Sequence, residues 1–217
     1  MTINLILSKL TSGMFTSLEI FILTLVFSLP LGLLVAIGRL SKNWLLRNII
    51  RIYISIMRGT PLMLQLLVVY FGPYYIFKIK ISSEYRFYAV IIAFVVNYAA
   101  YFAEIYRSGI QSMPIGQYEA ANVLGYNKLQ TFLKIILPQV IKRVLPPITN
   151  EVITLVKDTS LAFAIAVTEM FTAAKAIAAS QKTMIPYIIA GIFYYIFNFL
   201  VDMMMNAVEK KMNYYHE

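Results

Sequence analysis

The sequence predicts an all-α integral membrane protein of about five transmembrane helices with an amphipathic surface helix. Two observations carry that reading. Hydrophobic residues make up 60% of the 217, and the mean hydropathy is +0.72, which sets the chain apart from soluble one- or two-domain proteins. Uncharged runs cover 20–38, 59–77, 87–103 and 183–201, each near the ~20 residues a helix needs to cross a bilayer. A fifth apolar region, Val144–Thr168, contains Glu151, Lys157 and Asp158, charges costly enough in lipid to be functional candidates. The expectation is one membrane domain over 1–217, with spans near 15–38, 59–77, 87–109, 142–165 and 184–207 and a long loop at 111–138.

The elements follow in order. Residues 1–13 read as a short lead, and helix one runs to about Ile37 with a kink expected at Pro30 and Glu19 near the outer interface. From Leu40 to Met57, Arg47, Arg51, Ser55 and Arg58 recur on one face, while Trp44, Leu45, Ile49, Ile52 and Ile56 occupy another. That is the pattern of an amphipathic helix on the membrane surface. The alternative is a bundle helix with a solvated basic face, but the chain offers no large soluble body to pack against it. Arg58-Gly59-Thr60-Pro61 ends this helix, because Pro61 disfavours helical geometry at Thr60.

Helix three, about Arg86–Ile110, places Asn97, Tyr101, Glu104 and Ser108 at i, i+4, i+7 and i+11, one polar stripe that lipid would force inward. Helix four repeats the device with Pro147, Asn150, Thr154 and Asp158, and Glu151 lies beside them. Thr159 and Ser160 add hydroxyls at its upper end. Residues 162–182 are alanine-rich and read as a helical connection on the outer side. Helix five carries Asn198, Asp202 and Asn206, read as buried polar residues joining helices or protomers. His216 lies in a polar tail, where neither a metal nor a catalytic role is expected, and the 11 methionines read as core filler.

The net charge of +9 could suggest nucleic acid, but the basic residues flank apolar spans instead of forming one soluble face. Membrane orientation explains them. With five spans, 12 of the 19 Lys and Arg fall in 39–58, 104–143 and the tail, and the remaining 7 on the other side. The positive-inside rule then puts the N-terminus outside and the C-terminus in the cytoplasm. There is no cysteine, which excludes disulfides and thiolate metal sites. The first apolar segment is longer than a signal-peptide core and has no basic region directly ahead of it, so it reads as a retained span.

The densest motif lies in the cytoplasmic loop: Glu119-Ala120-Ala121, then Gly125, then Leu137-Pro138. Glu119 is suited to open a short helix, the alanines to keep its contact face narrow, and Gly125 to supply a left-handed residue that ends it. This spacing resembles the EAA loop of ABC importer permeases. Arg58-Gly59-Thr60-Pro61 with Gln65-Leu66, the run Ala100–Gln111 and Lys157-Asp158-Thr159-Ser160-Leu161 resemble the polar amino-acid branch of that family, so the likeness extends from about residue 12 to residue 208.

The resemblance implies the membrane subunit of a type I importer in the bacterial cell membrane. It implies a second permease chain, identical or paralogous, two ATP-binding cassette subunits that hold ATP and Mg, and an extracellular solute-binding protein that delivers an amino acid of the arginine, histidine, glutamine or cystine class. It further implies that Glu119, Ala120, Ala121, Gly125, Leu137 and Pro138 couple to the ATPase as a rigid lever. Asn97, Tyr101, Glu104, Asn150, Glu151, Thr154, Asp158, Thr159 and Ser160 are the substrate-binding candidates, with Glu104 placed either to line the inner mouth or to pair with Arg107.

The chain has no Gly-x-x-x-x-Gly-Lys-Ser/Thr loop, no nucleophile with a base at recognisable spacing and no cofactor motif, so no enzymatic role and no cofactor of its own are expected. The rival reading is an ion- or proton-coupled secondary transporter or channel. Against it stand the odd number of spans without an internal repeat and the loop suited to docking a partner.

Overall fold

A computed structural model describes residues 3–212, all of its regular elements being helical; His216 lies outside the described residues. Helix α1 spans Ile3–Arg39, 37 residues, and runs unbroken through Pro30. It starts at Ile3 and not near residue 15, so the expected lead is helical. The reason is tertiary. Ile6 and Leu10, one turn apart, are buried against Met170, Ala174, Ile177 and Ala190, a partner surface that hydropathy along the chain does not reveal.

Helix α2 (Trp44–Gly59) is capped by the Asn43 side chain, which accepts from the amides of Leu45 and Leu46. A bend of 110° separates it from α3 (Leu62–Phe77), with Thr60 extended at φ −125° ahead of Pro61. The two expectations for α2 both hold in part. Ile50, Tyr53, Ile54 and Met57 pack on neighbouring helices, while Trp44, Leu45, Ile49, Ile52 and Ile56 stay exposed.

Helix α4 (Tyr85–Gln111) is the central column, burying Ala89, Ala93, Phe94, Ala99, Ala100 and Ala103. α1 lies along it at close range: a Cβ on Gly32 would stand 2.8 Å from the Phe102 Cβ, so the backbones can approach only because residue 32 has no side chain. After α4 come α5 (Ile115–Val123) and α6 (Lys128–Thr131). One π-turn, Phe132–Ile136, then leads without a break into α7 (Leu137–Asp158). α7 begins at Leu137, ahead of the span expected from 142, and Pro138 follows the π-turn directly, where its missing N–H cannot donate to the carbonyls of that turn.

A 3₁₀ segment, Thr159–Ile165, ends at Ala166 with φ +58°, and α8 (Met170–Gln181) and α9 (Ile185–Met212) complete the chain. α1, α4 and α9 are each long and apolar enough to cross a membrane alone. The bent pair α2–α3 and the pair formed by 128–165 with α8, bent by 56°, bring the number to as many as five. α5 marks one end of the molecule and α8 the other.

Candidate functional site

α3, α4 and α7 enclose a cavity of about 440 Å³, large enough for an amino acid. Its walls come from the α2–α3 corner (Thr60, Pro61, Leu62), from α4 (Asn97, Tyr98, Tyr101), from α7 (Glu151, Thr154, Asp158) and from Leu161 of the 3₁₀ segment. Asn97 lies 12 residues from Tyr85 and 14 from Gln111, so at ~1.5 Å per residue the cavity opens about halfway along α4.

The lining groups are not equally free. Asn97 is 4% exposed, and its amide donates to the Met57 carbonyl at 3.0 Å and to Gln65 Oε1 at 2.9 Å, so it ties α4 to the corner. Gln65 in turn donates to Met57, to the Thr60 carbonyl and to the Thr60 hydroxyl at 3.0, 3.1 and 2.8 Å. The Thr154 hydroxyl donates back to the Asn150 carbonyl at 2.9 Å. Asp158 accepts from the Tyr98 hydroxyl at 2.7 Å, and Glu151 lines the same wall one helical repeat away. The ten residues of the wall include two carboxylates and no Lys or Arg.

Of the nine residues expected from the sequence, five meet here: Asn97, Tyr101, Glu151, Thr154 and Asp158. Asn150, Thr159, Ser160 and Glu104 are not on its wall. Thr159 is fully buried with its hydroxyl on the Val156 carbonyl, and the Ser160 hydroxyl donates to Lys157. Glu104 sits seven residues, ~10 Å, toward the α5 end and is paired with Arg107 through two guanidinium bonds. Arg58 approaches it at 4.0 Å while lying over the Tyr101 ring, 5.4 Å from the centroid, and Gln111 also accepts from Arg107.

Sequence reasoning missed Tyr98, Thr60 and Leu161. Tyr98 stands next to Asn97 and so falls ~100° off the polar stripe.

At the α5 end, the helix begins at Ile115 after Pro114, so Glu119 lies in its middle and does not open it. Gly125 behaves as expected: with φ +80° it lets Tyr126 N–H reach the Ala121 carbonyl and its own N–H reach Asn122, both at 3.0 Å, the double bond of a Schellman ending. Ala120 is exposed, but Ala121 is only 1% exposed and faces the protein, so the two alanines do not share one outward surface. Clefts of about 490 and 750 Å³ flank α5, one reaching Pro138 and the other containing Glu119.

At the α8 end, a group overlooked in the sequence does the joining. Glu169 is fully buried and caps α8, accepting from the amides of Phe171 and Thr172 at 2.7 Å each and from the Thr172 hydroxyl at 2.8 Å. It also accepts from the hydroxyls of Tyr194 on α9 at 2.9 Å and Ser17 on α1 at 3.4 Å. The expected alanine-rich connection is thus pinned to two spans.

Residues 28–214 match the family described as the binding-protein-dependent transport system inner membrane component. The chain belongs to that family. This permease is 36% identical over 208 residues to the L-cystine transport system permease protein TcyB of Bacillus subtilis strain 168, covering 95% of this chain and 87% of that one. It is 39% identical over 194 residues to the octopine transport system permease protein OccM of Rhizobium radiobacter, covering 85% and 79%. Among solved structures, an amino acid ABC transporter with histidines superposes at a TM-score of 0.86 with 30% identity, over 94% of each chain. The MetNI methionine ABC transporter in an inward-facing form reaches 0.76 over 98% and 99% at 18% identity, which speaks to fold alone. The permease is therefore a multi-pass membrane component of an ABC transport system with the type I importer fold.

Proposed function

We propose that this permease is the membrane-spanning subunit of an ATP-driven importer of polar amino acids, and that its cavity at mid-α4 is the solute station. The observation that carries the reading is that Glu151 and Asp158 both line a wall whose own residues include no Lys or Arg, with Arg58 at its edge beside Glu104. One carboxylate suits the α-ammonium that every amino acid has. The second suits another positive group, which favours arginine, histidine or the second ammonium of cystine over glutamine. Relatives named for cystine and octopine and the solved transporter with histidines fit this range, while relatives named for glutamine transport match at 33–35% identity, so the four-substrate comparison decides.

In this reading the N-terminus is outside and the C-terminus cytoplasmic, and a solute-binding protein delivers the amino acid at the α8 end. The permease pairs with a second permease chain, and two ATP-binding subunits dock at α5 and supply ATP and Mg chemistry. The chain's own share is mechanical. Closure of the ATPases moves α5, and the helical run 128–158 carries the displacement to Asp158, while α4 and the α2–α3 corner shift around the cavity.

The test measures solute binding to the assembled transporter without its binding protein, using arginine, histidine, cystine and glutamine in turn. Glu151→Gln is expected to weaken the substrates with a second cationic group by at least tenfold, the effect of a lost charge-assisted contact of about 1.5–3 kcal/mol. Glutamine binding tighter than all three, and unchanged in the variant, would remove the carboxylate assignment.

A further inference from the structure

α2 presents three faces, and two of them have no partner in the chain. At ~100° per residue, Ile50, Tyr53, Ile54 and Met57 point toward α1 and α4, where the Tyr53 hydroxyl donates to the Val96 carbonyl. Leu45, Ile49, Ile52 and Ile56 form a second face, each more than half exposed. Arg47 and Arg51 form the third, with Lys42 just ahead of the Asn43 cap. No Asp or Glu occurs between Ile20 and Ser83. Among the described residues Glu104 pairs with Arg58 and Arg107, and Lys42, Arg47 and Arg51 make no ion pair with a carboxylate.

We infer that this basic face binds the phosphodiester headgroups of anionic phospholipids in the leaflet at the α5 end. The adjoining apolar face sets the depth: it belongs in acyl chains, and it turns the arginines to the level of the headgroups. The chain's single tryptophan, Trp44, is 67% exposed at the start of the helix, where an indole anchors at the interface. The helix follows directly on α1, whose long uncharged stretch ends at Arg39. An acidic protein or a nucleic acid seated on the arginines would leave the neighbouring apolar face in water. Guanidinium groups match phosphate oxygens in two-pronged geometry.

The site also reaches the cavity. The last turn of α2 supplies the Met57 carbonyl that holds Asn97, and Gly59 leads into Thr60 and Pro61 of the wall, so a headgroup-bound helix fixes one side of the solute chamber. The inference stands apart from the choice of amino acid.

Trp44 makes the test direct. The full permease chain is placed in nanodiscs of phosphatidylcholine and phosphatidylglycerol, with bromine quencher on the acyl chains of one lipid or the other. Brominated phosphatidylglycerol is expected to quench the indole more strongly than its bulk share predicts, and the preference should shrink as salt is raised. Arg47→Gln and Arg51→Gln should each cut the preference about fivefold, and Arg47→Lys with Arg51→Lys should restore most of it. Equal quenching by the two lipids, without any mutation, would overturn the inference. Abolition of the preference by inorganic phosphate would assign the face to a soluble anion and overturn it as well.

Discussion

The hydroxyl of Tyr98 donates to Asp158 Oδ2 across 2.7 Å and so joins the middle of α4 to the end of α7 at the cavity wall. Tyr98 is only 2% exposed, whereas Asp158 is half-buried and borders the open space. One residue anchors the bond and the other retains capacity to accept from a solute.

The two substitutions at this bond should separate stability from binding. Tyr98→Phe keeps the ring and the negative charge but removes the donor, and a hydrogen bond between membrane helices averages about 0.6 kcal/mol. A small fall in melting temperature is expected. Asp158→Asn keeps an acceptor for Tyr98 and removes the charge, so the melt should hardly move while solute affinity drops about tenfold. Thermal unfolding and solute titration of both variants check this, and a reversed pattern would place Asp158 in the scaffold.

Glu104 is expected to act at the inner mouth with Arg107. A double-mutant cycle with Glu104→Gln and Arg107→Gln should show a coupling near the top of the range for partly exposed pairs, about 1 kcal/mol. Solute affinity in Glu104→Gln should stay within about twofold. A tenfold loss of affinity without loss of stability would instead put this carboxylate in direct contact with solute.

The two sides of α5 should respond differently. Ala121→Leu overpacks a residue that is 1% exposed, at a cost of about 1–3 kcal/mol, and should expose 111–138 to protease. Val123→Asp changes a residue that is 86% exposed and should leave the loop protected, yet reduce co-purification of the ATPase. Full retention of the ATPase by Val123→Asp would move the docking face elsewhere on the loop.

Glu169→Ala removes the cap of α8 and leaves the Tyr194 hydroxyl without its acceptor, while Ser17 keeps the Gly13 carbonyl at 3.3 Å. The combined loss is expected at about 2–4 kcal/mol. Glu169→Gln preserves an acceptor oxygen and should lose less than half of that. Melting temperatures of the solubilised permease give both values, and equal losses would show that charge, not hydrogen bonding, holds the junction.

The apolar helices were legible because lipid tolerates few charges: the charge-free runs fall on α3, α4 and α9 and mark where each starts within a few residues, although α4 and α9 continue to Gln111 and Met212, well past the runs' ends at 103 and 201. The beginning of α1 was not, since Ser8, Lys9, Thr11 and Ser12 read as a polar lead, and only the distant Met170 and Ala174 explain why they are helical. Polar periodicity picked out Asn97, Tyr101, Thr154 and Asp158, with Glu151 beside the second stripe, because residues on one face of a helix stay together when helices pack. The same periodicity ran past the cavity to Glu104, where a cation one turn away captured the carboxylate. The bend at Thr60 was legible in Pro61, but its place on the cavity wall, like that of Leu161 in a 3₁₀ segment, depends on how the whole bundle packs. Glu169 was visible only as a charge among alanines. Its many partners are 2–152 residues away along the chain, which spacing within one helix cannot show.

The π-turn at Phe132–Ile136 holds one residue more than an α-turn in the helical run 128–158, which joins the loop to the cavity as α4 does on its other side. The wide turn absorbs that surplus within one circuit, whereas each residue of an α-helix advances the chain by ~100°. Deleting one residue within the turn would return it to ordinary helix and leave α5 in nearly the same phase, whereas deleting one from α6 meets no such slack and would rotate α5 by about that angle about the axis that carries Asp158. The transporter would keep its spans and its cavity and present the wrong side of its loop to the motor. Spacing between 125 and 137 is therefore a matter of dial setting as much as of length.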